Sequence, residues 1–392
     1  MDPKLLICRD IHVQEYGSLP SVVASAPGKV GILGDYTEFV QGITLSAATN
    51  FRVWVSVSSR SDHIVKFFSR EYNERKKAVA TSMKYRKEDR WANLPKGVLA
   101  GFAALGVALT GLEVVICGDI PQSIGLGSSQ ALCLASAYAF NEFFQAGLTP
   151  EELTTLAFQA EHHFLGVSLG QGTGKTLTYA LDHHLFWYDA RRREGENLPF
   201  PESGWELAVI NSRVPPSSSE SVRAARQACN LCLKILNDGR NGKSLRDYSK
   251  SDLRDSVGIL PEAARRRSLH IIDELVRLQE ASDCLRTQDM VSLGRLMHRS
   301  HESLRDLFEV SCPEIDWLVK RLQDLEGLAG ARLTGEETGS SVLALGKPTA
   351  WAKFRPLAEE YERIFGFKAE LRSFRPSSGA RLDQPLNREI SS

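Results

Sequence analysis

No surplus of charge marks this chain: 48 Lys and Arg balance 48 Asp and Glu over 392 residues, for a formal net charge of zero. A global field that would draw it to nucleic acid or to an anionic membrane is absent, so neither partner is expected. Long hydrophobic runs are missing as well. The longest uncharged apolar stretch, Gly97 to Leu112, falls short of a bilayer span and reads as a buried helix. The opening MDPKLLICRDIHVQEYG has only a short apolar stretch before charge resumes, which does not read as a secretory signal. A disulfide or zinc framework is also lacking. The 7 cysteines are odd in number and scattered, several of them in apolar runs. Cys229 and Cys232 form a C-x-x-C, but within ARQACNLCLKIL, whose period is helical, and no second pair follows at zinc-site spacing. A reducing, cytoplasmic setting is expected. What is present, 42% hydrophobic and 24% charged residues, is an ordinary globular composition. Its length exceeds what one core usually organises and predicts two closely packed lobes.

Val22 to Ser25, the strictly alternating FRVWVSVS from Phe51 to Ser58, and Ile64 to Phe68 read as strands. Trp91 to Leu109 reads as a helix. Val114 to Cys117 is a short buried strand that runs into a Gly/Ser loop and then, after Ser129, an Ala-rich helix. Thr149-Pro150-Glu151-Glu152 is a capping-box start, and Gly166 fits that helix's stop. Leu185 to Tyr188 and Leu207 to Ile210 are strands again. Helices are predicted at Ser219 to Leu236, Ser268 to Leu278, Met290 to Leu307 and Pro313 to Leu325, with Asn237 to Arg267 as a linker or surface loop. Strands return in ARLTG, SVLALG and KAELRSF around a helix from Thr349 to Phe365. The pattern predicts an α/β (α+β) chain with a mixed-sheet N-terminal lobe, 1–212, and a ferredoxin-like C-terminal lobe, 213–392.

Gly125-Leu126-Gly127-Ser128-Ser129, between a strand and a helix, carries the chemistry most plainly. Glycines admit close backbone approach, successive N–H groups form an anion nest, and the helix dipole and serine hydroxyls suit phosphate and its metal ion. Gly170 to Thr176 ends like a Walker A loop, but its leading glycine position is Leu169 and it follows a helix rather than a strand. A P-loop is therefore not expected there.

APGKVGILGDYTEFVQG (Ala26 to Gly42), PQSIGLGSSQA (Pro121 to Ala131) and ARLTGEETGSS (Ala331 to Ser341) resemble, in order, the three motifs of the GHMP small-molecule kinases. WANLPKGV, AEHHFLGV, SHESLRDLFEVSCPEID and RPSSGA resemble the galactokinase family within them. The resemblance implies a two-lobed fold with ATP and a galactose-like sugar in the cleft, and phosphoryl transfer to the anomeric hydroxyl. It implies that Gly125, Leu126, Gly127, Ser128 and Ser129 wrap the triphosphate and that Trp91 lies near the adenine. Ser128 or Ser129 with Glu161 would hold Mg²⁺, and Gly34, Asp35, Tyr36 and Glu38 would contact the sugar. A monomer is expected.

Departures from the family concentrate in the cleft. Its arginine after the first glycine is Lys29, which keeps the charge without the planar fork. Its Glu and Asp become Asp35 and Glu38, a reciprocal change of one methylene, and the histidine between them is Tyr36. The catalytic aspartate's position is Thr173, which cannot accept a proton at neutral pH; Asp182 is the nearest carboxylate downstream. Glycines of the third motif become Glu336 and Glu337, whose repulsion of phosphate Lys175 could offset. Two readings stay open on the sequence: a Mg-ATP-dependent sugar 1-kinase with impaired or altered turnover, or a non-catalytic sugar- or nucleotide-binding pseudokinase.

Overall fold

The computed structural model describes residues 3–122, 124–165, 170–215, 219–238, 241–335 and 341–383. Strands are β1 Val22–Leu33, β2 Ile43–Arg60, β3 Ile64–Ser69, β4 Glu74–Val79, β5 Gly111–Gly118, β6 His184–Asp189, β7 Glu194–Pro199, β8 Glu206–Asn211, β9 Leu328–Thr334, β10 Ser341–Gly346, β11 Glu370–Phe374 and β12 Arg381–Asp383. Helices are α1 Pro3–Tyr16, α2 Asn93–Ala104, α3 Ser128–Phe144, α4 Pro150–Leu165, α5 Gln171–Tyr179, α6 Ser219–Leu236, α7 Lys250–Asp255, α8 Glu262–Arg286, α9 Met290–Ser303, α10 Pro313–Gln323, α11 Pro348–Trp351 and α12 Phe354–Phe365.

The first sheet runs β12-β1-β2-β5-β3-β4, with β6 and β7 added beside β2; β3 and β5 are parallel and the other pairs antiparallel. Alternation in FRVWVSVS sends Val53, Val55 and Val57 into the core shared with α2, α3 and α4, while Trp54 faces Leu5 and Cys8 of α1 on the other side. The second sheet has the antiparallel order β11-β8-β10-β9. With the helices α6 to α10 between β8 and β9, and α11 and α12 between β10 and β11, this is the expected ferredoxin-like topology.

A division at residue 212 does not match the sheets. β8 lies before it yet pairs in the second sheet, and β12 near the C-terminus pairs with β1 in the first. Hydrophobic strands resemble one another locally, and only pairing reveals the sheet to which each belongs. Asn237 to Arg267 is no simple linker either, because it contains α7 and the first turn of α8. Cys229 and Cys232 are free and fully buried on α6, as its period requires. The Thr149–Glu152 capping box is formed, with Thr149 N donating to Glu152 at 2.8 Å. Gly166 lies outside the described residues.

The lobes share a core. Leu278 and Leu285 of α8, Leu293 and Met297 of α9 and Leu343 of β10 belong to the same buried cluster as β1, β2 and α3. Conversely, Tyr36 and Val40 from the connection after β1 pack in the second lobe's cluster.

Candidate active site

The Pro27-Gly28 step breaks the β1–β2 register, which passes from Pro27 opposite Arg52 to Lys29 opposite Ala48. Such a bulge re-aims the side chains beyond it. It brings Lys29 to the glycine loop, where Lys29 N donates to Leu126 O at 2.9 Å. Among the described residues no carboxylate pairs with the Lys29 ammonium. In that loop Gly125 and Gly127 have φ of 75° and 64°, a region side chains avoid, and Gly127 is the N-cap of α3. The first-turn N–H groups of α3, with Ser128 and Ser129, thus open at the end of the loop.

Beside this helix start lies a cavity of about 320 Å³, lined by Trp91, Tyr72, Ile116, Leu132, Ser128 and Ser129 among others. Trp91 is fixed from two directions. Its indole N–H donates to Glu74 at 3.1 Å, and its ring stacks on Tyr72 with centroids 6.3 Å apart and planes 11° from parallel. Arg90 pairs with Glu74 at 3.0 Å and covers the Tyr72 ring. The cavity sets aromatic and apolar walls beside the free N–H groups of a helix start, a pairing of chemistries that suits a planar ring carrying anionic groups. Tyr72, Glu74 and Arg90 carry no motif and escaped the sequence reading.

Opposite the loop, Gln171 to Tyr179 is helix α5 rather than a glycine-rich loop. Thr173 sits 9% exposed against the glycine loop: a Cβ placed on Gly127 would lie 3.5 Å from Thr173 Cγ2. Glu38 reaches the same helix, and its Oε1 accepts Gly172 N–H at 3.0 Å. Burial, then the negative charge of Glu38, pushes the adjacent Tyr188 phenol up. Lys175 points elsewhere. It pairs with Glu151 of α4 and lies over the Tyr179 ring, so it does not serve as a cation for the loop. Asp182 is held by Ser378 N at 2.7 Å, away from Thr173's helix start.

The other sugar-motif residues face the second lobe. Asp35 is 5% exposed and pairs at 2.7 Å with the fully buried Arg332, whose other Nη donates to Ile32 O. Tyr36, at φ 67°, stacks on Phe308 at 4.8 Å. Gly34 N donates to the fully buried Glu274 at 2.9 Å. Burial works to raise the Glu274 carboxyl, but Arg277, His270 and Arg332 outweigh it and bring it down to about 2. Of the predicted sites, Lys29, the loop, Thr173 and Glu38 come together, Trp91 joins them through the cavity, and Asp35 and Tyr36 turn away.

Glu161 of α4 is 3% exposed, and after burial its charge contributes to raising the Cys133 thiol on α3. No group of three His, Cys, Asp or Glu among the described residues could hold a metal alone. Glu161, Ser128 and Ser129 instead offer the hard oxygen donors that suit Mg²⁺ when phosphate oxygens complete its shell. Glu336 and Glu337 lie outside the described residues.

Three family models match: the galactokinase galactose-binding signature at residues 10–59, the GHMP kinases N terminal domain at 93–173 and the GHMP kinases C terminal domain at 281–361. A Treponema pallidum relative is 35% identical over 95% of both chains. Galactokinase from Thermotoga petrophila is 33% identical over 90% of this chain and 98% of its own. The chain belongs to the galactokinase family of GHMP kinases. The crystal structure of Lactococcus lactis galactokinase complexed with galactose superposes with a TM-score of 0.88, covering 96% of this chain and 99% of that one at 22% identity, which establishes the galactokinase fold. A mevalonate kinase superposes less closely, at TM-score 0.65 and 16% identity.

Proposed function

We propose that this chain is a sugar 1-kinase of the galactokinase type, transferring the γ-phosphoryl group of ATP to the anomeric hydroxyl of a galactose-like sugar. The observation that supports it is the convergence of the aromatic-walled cavity, the α3 N-terminus, Lys29 and the start of α5 on one loop, Gly125 to Ser129. Trp91 holds the base. The loop N–H groups hold the phosphates, and Lys29 neutralises charge on the transferred group. Ser128, Ser129 and Glu161 hold Mg²⁺, which when bound offsets the charge developing on phosphate oxygens. Thr173 replaces the family's proton acceptor with a hydroxyl, so turnover at this site departs from the family's usual route.

The pairing of Asp35 with Arg332 favours a second reading, a pseudokinase that binds nucleotide without transferring phosphate, because the ion pair commits the buried carboxylate's Oδ2 to the protein and leaves less of it for a sugar hydroxyl. Titration calorimetry with Mg-ATP and phosphorus NMR of a mixture with galactose separate the two. Formation of galactose 1-phosphate supports the kinase. ATP binding without product supports the second reading.

A further inference from the structure

We infer that the second lobe positions the two ligand-binding segments of the first separately, the sugar segment through Glu274 and the glycine loop through Ser341. The inference rests on the reading above, in which the Gly34 to Glu38 segment serves the sugar and Gly125 to Ser129 the phosphates. Buried side chains of the second lobe end on the backbone of the first. Thr334 Oγ1 donates to Gly31 O at 3.0 Å, Arg332 Nη1 to Ile32 O at 2.8 Å and Ser341 Oγ to Ile124 O at 3.1 Å, while Glu274 Oε1 accepts from Gly34 N at 2.9 Å. None of these four side chains belongs to a residue more than 2% exposed.

What lies beyond each contact divides them. Gly34 follows the last residue of β1 and has φ of 88°, so the chain leaves the sheet and turns at that point. Its carbonyl accepts from Thr37 Oγ1 at 2.9 Å, and the next residue, Glu38, accepts the Gly172 N–H at the start of α5. A shift at Gly34 N is therefore passed to Thr37, to Glu38 and to the helix that carries Thr173. Glu274 is itself fixed: Oε1 also accepts Ser300 Oγ at 2.8 Å, and Oε2 accepts Arg277 Nε at 2.7 Å. A side chain locked in this way can set the place of its partner. Ser341 acts on the other segment. Ile124 precedes Gly125, whose φ of 75° starts the turn into α3, so holding the Ile124 carbonyl sets where the loop begins. Glu274 and Ser341 stand on different elements, α8 and β10, and share no hydrogen-bond partner among the described residues, so their effects should separate.

Titration calorimetry on the full chain, with thermal unfolding, tests this in wild type, Glu274→Asp, Glu274→Gln and Ser341→Ala. The ligands are Mg-ADP, and galactose at saturating Mg-ADP, which admits both without turnover. Glu274→Asp keeps the charge beside Arg277 but withdraws the carboxylate by one methylene, and Glu274→Gln keeps the length and removes the charge. Both are expected to weaken galactose about tenfold and leave Mg-ADP unchanged, whereas Ser341→Ala weakens Mg-ADP about tenfold and leaves galactose unchanged. Should neither Glu274 variant fold, Thr334→Val, isosteric and lacking only the donor to Gly31, carries the sugar arm with the same expectation. Variants that weaken both ligands in parallel with a lower unfolding temperature act through stability alone, and that result overturns the inference, as do unchanged affinities in folded variants. Wild type that binds both ligands but forms no galactose 1-phosphate from Mg-ATP overturns the kinase reading and leaves the positioning roles standing. Wild type that binds no galactose overturns both.

Discussion

Arg332 and Asp35 form an ion pair in which neither partner reaches solvent appreciably, with side chains 0% and 6% exposed. Removing one charge from such a pair strands the other, at a cost of about 3–5 kcal/mol, whereas replacing both with neutral groups of similar size costs far less. Arg332→Met should therefore destabilise strongly in urea unfolding, and Asp35→Asn added to it should recover most of that loss. Equal destabilisation in single and double variants would show that the pair is not coupled. Two buried histidines set the pH response. Burial brings His12 down to about 4, and burial, opposed by Glu274, brings His270 down to about 3. Both folded values lie below the unfolded value of 6.5, so the unfolded chain takes up protons that the folded chain refuses. Stability is then full above about pH 6.5 and falls below it, by about 1.4 kcal/mol per pH unit for each histidine. Glu274 extends the loss below its unfolded value of 4.5. Urea midpoints at about pH 5 and about pH 7.5 should differ in wild type and differ less in His270→Leu. Arg332 lay inside a quoted motif but was not legible as a site residue, because sequence shows a charge and not the buried carboxylate opposite. Lys29, Thr173 and the glycine loop were legible, since their spacing follows a recognisable motif. The contact of Glu38 with Gly172 was not, because it joins residues far apart in the chain.

Among the elements, strong periodicity made the sequence informative. Helix α6 begins and ends where its apolar repeat does, and α3 follows its glycine loop as expected. Helix α5 went unpredicted for a physical reason. QGTGKTLTY contains two glycines and little helical propensity, and its helix is held by tertiary partners: Glu38 at its start, Ser46 bonded to Thr176 at 3.1 Å, and Thr154 bonded to Thr178 at 2.6 Å. The junction of the loop with α3 can be tested through Gly127. A Cβ there meets Thr173 only at ordinary contact distance, so the cost of Gly127→Ala is mainly the left-handed backbone, about 1–2 kcal/mol. ATP affinity should drop with it. Gly147→Ala, also at positive φ but with open space around it, should cost similar stability and leave the ATP dissociation constant unchanged.

For the whole molecule, a core continuous from the first sheet into α8 and α9 means that the lobes unfold as one. Calorimetry should give a single transition whose calorimetric and van't Hoff enthalpies agree; two resolved transitions would contradict the shared core. Because β8 pairs in the second sheet and β12 in the first, a single cut at 212 leaves each sheet one strand short. Strand β12 carries a further consequence, for the order in which the protein can be made. Val23, Ala24 and Ser25 of β1 find their outer partners only in Arg381 to Asp383, so that side of the first sheet waits until those residues have left the ribosome. Until then an early-formed sheet presents an open edge to other nascent chains, and Arg381 to Asp383 act as the stitch that seals it.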